Sequence, residues 1–243
     1  CNYRCSYCFF GSHWDEITPL DRFLPVAEQW VEAWEKIYQK HGTAKIIITG
    51  GEPTLYPGFL ELISAMTRRY WINIDTNLSQ KLSWVEEFAR LPANKVYLGI
   101  SFHPEYAKLE EFSQKVHKIK DAGFDYRVNL ICYPPLLSKL PIYHKHFVEQ
   151  GFCVVPNPYR GLLQGKTYPQ AYTLEEKKII EGMSEKLQEK YQFWVSARME
   201  PICTLGKLCY AGRRYIRVEH DGAIWRCGQY FSNGEQSMGN IFD

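Results

Sequence analysis

Apolar runs rich in β-branched residues alternate with stretches of helical periodicity along most of this chain, and that alternation limits the fold more than any other feature. Lys45–Gly50, Trp71–Asn77, Val96–Ser101, Tyr126–Cys132 and Phe152–Pro156 predict strands. Roughly Asp21–Lys40, Gly58–Tyr70, Leu82–Arg90, Tyr106–Ala122 and Leu137–Gln150 predict the helices between them, with Gly123 available as a left-handed cap after Asp121-Ala122. Strands that alternate with helices build a parallel sheet, and such sheets place ligands at the carboxyl ends of their strands. One more helix is expected from Thr173 to Lys190, with Thr173 as N-cap and Glu175 and Glu176 in its first turn. Beyond it the pattern changes to short strands and turns. A boundary near Tyr191–Ser196 therefore divides the chain into residues 1–192 and a tail, residues 193–243. Within the tail, Asp221-Gly222 lies between two strand-like runs and signals a hairpin.

The cysteines carry the chemistry. Cys1, Cys5 and Cys8 put three thiols on one short loop. A structural zinc site is normally closed by four protein ligands, whereas an iron–sulfur cube held by three cysteines keeps one iron open to an outside ligand. Gly50-Gly51-Glu52-Pro53-Thr54 then follows the apolar run Lys45–Thr49 directly, at a strand end. A second group, Cys203, Cys209 and Cys227, flanks the tail hairpin. Its residues fit either a metal cluster or a zinc ribbon or free thiols. Cys132 and Cys153 lie in or beside apolar strand runs and read as buried small hydrophobes. Clustered cysteines in a chain of ordinary globular composition favour metal binding in a reducing, cytoplasmic compartment over disulfides. A net charge of +2 gives no electrostatic case for a nucleic-acid or membrane partner, and no apolar run approaches the ~18 residues that span a bilayer.

The three-cysteine loop and the Gly-Gly-Glu-Pro segment together resemble the radical S-adenosylmethionine (SAM) superfamily. The resemblance implies a partial (β/α)6 barrel of α/β class, with a small C-terminal cysteine-rich segment that contains the β-hairpin. It implies a [4Fe–4S] cluster on Cys1, Cys5 and Cys8, its open iron chelated by the amino and carboxylate groups of SAM. It also implies reductive cleavage of SAM to begin hydrogen abstraction from a substrate. A peptide or small metabolite is the expected substrate, with a low-potential electron donor such as flavodoxin or ferredoxin.

Residue by residue, the family pattern assigns cofactor contacts to Tyr7, beside the adenine, and to Gly50, Gly51 and Glu52, at the SAM amino group. It further assigns Thr76, Asn77 and Ser101 at strand ends, and the inward Asn129 and Asn157 are candidates to line the same pocket. The chain departs from the family after Ser101. Phe102-His103-Pro104 stands where an acidic residue and a glycine are commoner, and no arginine lies between Arg90 and Arg127 to take the SAM carboxylate. Lys108 or Lys115 is the candidate substitute, without the bidentate fork of arginine. His103, at a strand end, is the candidate proton carrier. The tail resembles the SPASM and twitch auxiliary-cluster segments of the same superfamily, in an incomplete form, with Cys203, Cys209 and Cys227 as its ligands. The chain reads as a fragment that lacks the first barrel strand. The rival reading is a non-catalytic or zinc-binding scaffold on the same barrel.

Overall fold

The structure is a computed structural model, and it describes residues 1–8, 24–185, 187–200 and 205–243. Five strands, β1 (Lys45–Ile48), β2 (Trp71–Thr76), β3 (Val96–Phe102), β4 (Asp125–Cys132) and β5 (Val154–Pro158), form one parallel sheet in sequential order. Helices α1 (Ala27–His41), α2 (Phe59–Met66), α3 (Leu82–Phe88), α4 (Leu109–Asp121) and α5 (Leu140–Glu149) precede or connect them. Sequential parallel order, one helix per crossover, is the arrangement of an open α/β barrel.

The period of two along each strand sorts the residues onto two faces. Ile72 and Ile74, Leu98 and Ile100, and Val128 and Leu130 are fully buried in the main core, against the helices. Each such side chain contributes about 1.5–3 kcal/mol by leaving water. The alternate positions carry polar groups and form rows across the sheet. Asp75, Gly99 and Arg127 pair in one row, and Ser101 and Asn129 in the next row toward the carboxyl ends. Gly123 takes the left-handed cap after α4, with φ of 81°.

The region after β5 differs from its sequence pattern. A two-stranded hairpin, β6 (Gly161–Leu163) and β7 (Lys166–Tyr168), turns through Gln164 and Gly165, both at positive φ. These strands are too short for an alternation to register. The single helix expected from Thr173 to Lys190 is two, α6 (Leu174–Ser184) and α7 (Glu189–Met199). Thr173 does cap the first, in a reciprocal box with Glu176. The break lets Tyr191 and Val195 turn into a second apolar cluster with Val155, Tyr172 and Ile180. Gln192 Nε2 donates to the carbonyls of Glu185 and Leu187 at 3.1 and 3.0 Å, beside the break. Helix α7 thus runs through Tyr191–Ser196, the stretch read from sequence as a boundary.

In the tail, β8 (Arg217–Val218) and β9 (Ala223–Trp225) pair antiparallel around Glu219–Gly222, and β10 (Gly239–Asn240) adds to β9. Gly222 has φ of 85°, and a Cβ there would stand 2.4 Å from the Phe242 ring, so the turn expected at Asp221-Gly222 requires glycine. Helix α8 (Gly228–Ser232) follows β9. The chain end docks back on the barrel, where Phe242 meets Trp30 of α1 edge to face at 4.8 Å. Among the described residues, no helix is long and apolar enough to cross a membrane.

Candidate functional site

The three-cysteine loop sits over the carboxyl ends of the sheet, tied to nearly every strand. At β1, Gly51 lies so close to Cys1 that a Cβ on it would fall 2.3 Å from the Cys1 nitrogen. Past β2, Asn77 Nδ2 donates to Asn2 Oδ1 at 3.1 Å and stands 3.9 Å from Cys1 Sγ. Past β3, the Ser6 amide donates to Glu105 Oε2 at 2.9 Å, the Ser6 hydroxyl bonds Glu105 Oε1, and Tyr3 stacks on Tyr106 at 4.8 Å. Past β4, Tyr133 packs against Tyr7 at 5.3 Å. Cys5 is buried, Cys1 and Cys8 are half-buried, and the Cys8 amide closes a turn onto the Cys5 carbonyl. Cys1, Cys5 and Cys8 are all free thiols. Burial and the Glu105 charge push the Cys5 thiol up to about 11.

Glu52 is 6% exposed and closes the site floor. Its Oε1 accepts from the Thr54 amide at 3.2 Å, the Thr54 hydroxyl at 2.6 Å and the Thr76 hydroxyl at 2.7 Å. Its Oε2 accepts from the Asn77 amide at 2.6 Å. The carboxylate therefore brackets the ends of β1 and β2, while the glycine backbone before it faces Cys1. Leu78, at φ of 52°, turns the chain so that its amide donates to Thr76 Oγ1 at 2.9 Å. A leucine in that left-handed region is strained, and the bracket holds it there.

His103 packs under the loop instead of facing an open pocket. It is half-buried against the Tyr7 ring, with Nδ1 3.0 Å from the Tyr7 hydroxyl and 3.5 Å from Cys5 Sγ. Burial pushes its pKa down to about 4, so the imidazole is neutral at neutral pH. The same contacts occupy Tyr7, whose phenol is pushed upward by burial.

One turn down the strands, the polar rows form a network. Arg127 Nε donates to Asn129 Oδ1 at 2.9 Å, Arg127 Nη1 donates to the Tyr97 hydroxyl at 2.9 Å, and Arg127 Nη2 lies 3.8 Å from Asp75 Oδ1. Asn129 Nδ2 reaches Ser101 Oγ at 3.4 Å. Sequence reasoning named Ser101 and Asn129 but missed Arg127 and Asp75. The available signal was parity: Arg127 and Asn129 are charged or polar two apart inside an apolar strand. Lys108 pairs with Glu111 at 3.0 Å, and Lys115 donates to the Leu78 carbonyl at 3.2 Å.

The residues at the strand ends suit a SAM-chelated iron–sulfur cluster. Three thiols share one loop, a glycine backbone lies bare beside it, and the buried Asn157 Oδ1 on β5 has no protein hydrogen-bond partner. Among the described residues, no three His, Cys, Asp or Glu side chains converge on a single-ion position. A cube asks for something else, because each thiolate bonds a different iron. In the tail, Cys209 is exposed and Cys227 half-buried at the end of β9, while Cys203 lies outside the described residues.

Comparison with known proteins bears on the same loop and sheet. The family model described as Radical SAM superfamily matches residues 1–135. GTP 3',8-cyclase of Edwardsiella ictaluri (strain 93-146) is 35% identical over 66 residues, which cover 27% of this chain and 20% of that protein. The sporulation killing factor maturation protein SkfB of Bacillus subtilis (strain 168) is 34% identical over 91 residues, 37% of this chain and 20% of that protein. A longer match, to GTP 3',8-cyclase of Crocosphaera subtropica (strain ATCC 51142 / BH68), is 24% identical over 219 residues, 79% of this chain and 62% of that protein. These matches thus span only 20–62% of the length of those relatives. In fold, the chain is similar over its whole length to native anSMEcpe with bound AdoMet, with a TM-score of 0.62, 17% identity and 75% of that chain covered. Native anSMEcpe with bound AdoMet and Cp18Cys peptide gives a TM-score of 0.60 at 18% identity, with 100% of this chain and 74% of that chain covered.

Proposed function

The chain belongs to the radical SAM superfamily, and from that premise we propose that it binds a [4Fe–4S] cluster through Cys1, Cys5 and Cys8 and initiates hydrogen abstraction from a peptide. The observation that carries the reading is the seat of the loop, with Cys1 against Gly51 and Asn77 at the carboxyl ends of β1 and β2. When bound, the cluster and SAM supply one-electron cleavage of a carbon–sulfur bond. The protein supplies position. Gly50 and Gly51 bring bare backbone to the amino group of SAM, and Glu52 acts behind them as the bracket that holds this backbone and Thr76-Asn77 in place. Ser101, Asn129 and Asn157 offer polar groups along the wall.

His103 and Tyr7 act as supports that hold the cysteine loop down. A neutral, half-buried imidazole bonded to the Tyr7 hydroxyl suits that role better than proton transfer to a substrate. A peptide substrate is favoured by SkfB, a maturation protein, and by the peptide-bound anSMEcpe structure. A small metabolite is the second reading, favoured by the 219-residue match to a GTP 3',8-cyclase. The tail is assigned a second, auxiliary cluster on Cys209 and Cys227 with Cys203, and electrons come from a flavodoxin or ferredoxin. The hairpin that brings Arg217 opposite Trp225, two residues before Cys227, supports the tail assignment.

The test is anaerobic reconstitution with iron and sulfide counting, followed by dithionite-driven cleavage of SAM. The wild-type chain should release 5′-deoxyadenosine, and the Cys1→Ala/Cys5→Ala/Cys8→Ala variant should release none. Undiminished cleavage by that variant would refute the assignment.

A further inference from the structure

The row of polar groups below the cysteine loop has a direction. A guanidinium only donates hydrogen bonds, so whatever Arg127 meets must accept. Its Nε–H points at Asn129 at 2.9 Å, which obliges the amide to present its oxygen there and turn its NH2 away. The NH2 then faces Ser101 Oγ at 3.4 Å, and Ser101 is the acceptor of that contact. A serine hydroxyl that accepts in this way has its single hydrogen left to donate elsewhere. The other arm of Arg127 behaves alike. Nη1–H donates to the Tyr97 hydroxyl at 2.9 Å, which leaves the Tyr97 hydrogen to donate to the Tyr191 hydroxyl at 3.2 Å.

Asp75 holds Arg127 in this pose from two strands away, with the pair 3.8 Å apart across Gly99. Only glycine permits the pair to meet there, because a Cβ at residue 99 would fall 2.2 Å from Asp75 Oδ1 and 3.3 Å from Arg127 Nη2. Every hydrogen in the network therefore points outward from one residue. Its last member, Ser101, lies one row nearer the strand ends than Gly99 and is half-buried.

We propose that Arg127 is the positioning residue that turns the Asn129 NH2 onto Ser101 Oγ and so leaves the Ser101 hydrogen free to donate to an acceptor oxygen of the bound cofactor. This rests on the assignment of Ser101 to the SAM pocket made above. The acceptor oxygen is chemically either the carboxylate or a ribose oxygen of SAM. Arg127 contacts Asn129, Tyr97 and Asp75, and its effect on Ser101 is relayed by Asn129.

Equilibrium dialysis of SAM against the anaerobically reconstituted chain tests this, with circular dichroism as the check of folding. Loss of one such hydrogen bond should weaken binding roughly threefold to tenfold in Ser101→Ala and in Arg127→Met. Arg127→Lys retains a donor for Asn129 and should bind within about twofold of wild type. Asn129→Asp has two acceptor oxygens, draws the Ser101 hydrogen inward, and should lose at least as much as Arg127→Met. A folded Arg127→Met, or Asn129→Asp, with wild-type affinity overturns the proposal while Ser101→Ala still weakens binding. Unchanged affinity in Ser101→Ala instead overturns the placing of Ser101 at the cofactor. Two further ligands identify the oxygen. A Ser101→Ala penalty for both S-adenosylhomocysteine and 5′-methylthioadenosine marks the ribose, and a penalty for S-adenosylhomocysteine alone marks the carboxylate.

Discussion

Glu52 Oε1 accepts the hydroxyl hydrogen of Thr76 at 2.7 Å, joining two strand ends that are 24 residues apart in sequence. With the Asn77 amide on Oε2 at 2.6 Å, the carboxylate needs two acceptor oxygens to satisfy its neighbours. Glu52→Gln supplies one oxygen and one NH2. Either orientation sets the NH2 against a donor that it cannot bond. The variant should lose about 1–3 kcal/mol of stability, the penalty of a buried unsatisfied polar group. Chemical denaturation with a shared slope for both chains measures it, and a midpoint equal to wild type would show that the bracket carries no energy.

The three-cysteine loop and the tail should be separable by iron content. Replacing Cys1, Cys5 and Cys8 with alanine should remove about four irons per chain. Replacing Cys209 and Cys227 should lower the count by a separate amount and leave the SAM-dependent spectral change of the first cluster in place. An iron content unaffected by the tail substitutions would show that Cys209 and Cys227 hold no cluster.

Gly99 leaves room for Asp75 and Arg127 to meet across β3. Gly99→Ala pushes a methyl toward the Asp75 carboxylate, which is partly exposed and can swing away. The expected loss is modest, up to about 1 kcal/mol, as for a partly solvated ion pair. In an Asp75→Ala background the same substitution should cost nothing measurable. The double-mutant cycle reads this directly. Equal losses in both backgrounds would assign the effect to backbone crowding and not to the pair.

His144 on α5 gives the fold a pH dependence that has nothing to do with the cysteine loop. Burial lowers its pKa from the usual value, and the Met183 carbonyl only partly offsets this. An unfolded histidine titrates near ~6.5. Below that pH the unfolded chain takes up a proton that the folded chain resists, so stability falls as the pH drops. Stability should therefore be full above about pH 7 and decline toward pH 5. His103, its pKa lowered to about 4, adds a decline of the same sign, so His144→Gln should lessen the slope in denaturation curves measured across this range without abolishing it. An identical slope in the variant would place the titration elsewhere.

The local part of this protein was legible without coordinates. The five strands, the Gly123 cap, the Thr173 cap and the Asp221-Gly222 turn were all readable, because periodicity and turn chemistry act over a few residues. So was the identity of the loop, since Cys1, Cys5, Cys8 and the Gly-Gly-Glu segment are contiguous signals. The break between α6 and α7 was not, because Tyr191 and Val195 are turned inward by a core assembled from distant elements. Nor were the roles of individual site residues. The hydrogen bonds of Glu52 to Thr76 and Asn77, and of His103 to Tyr7, 96 residues away, have no signal in the sequence pattern. Arg127 and Asp75 gain meaning only when strand register sets them on either side of Gly99. Sequence pattern reports which face of a strand a residue occupies. Which partner it meets there depends on register and on crossovers tens of residues long, and only the tertiary structure decides that.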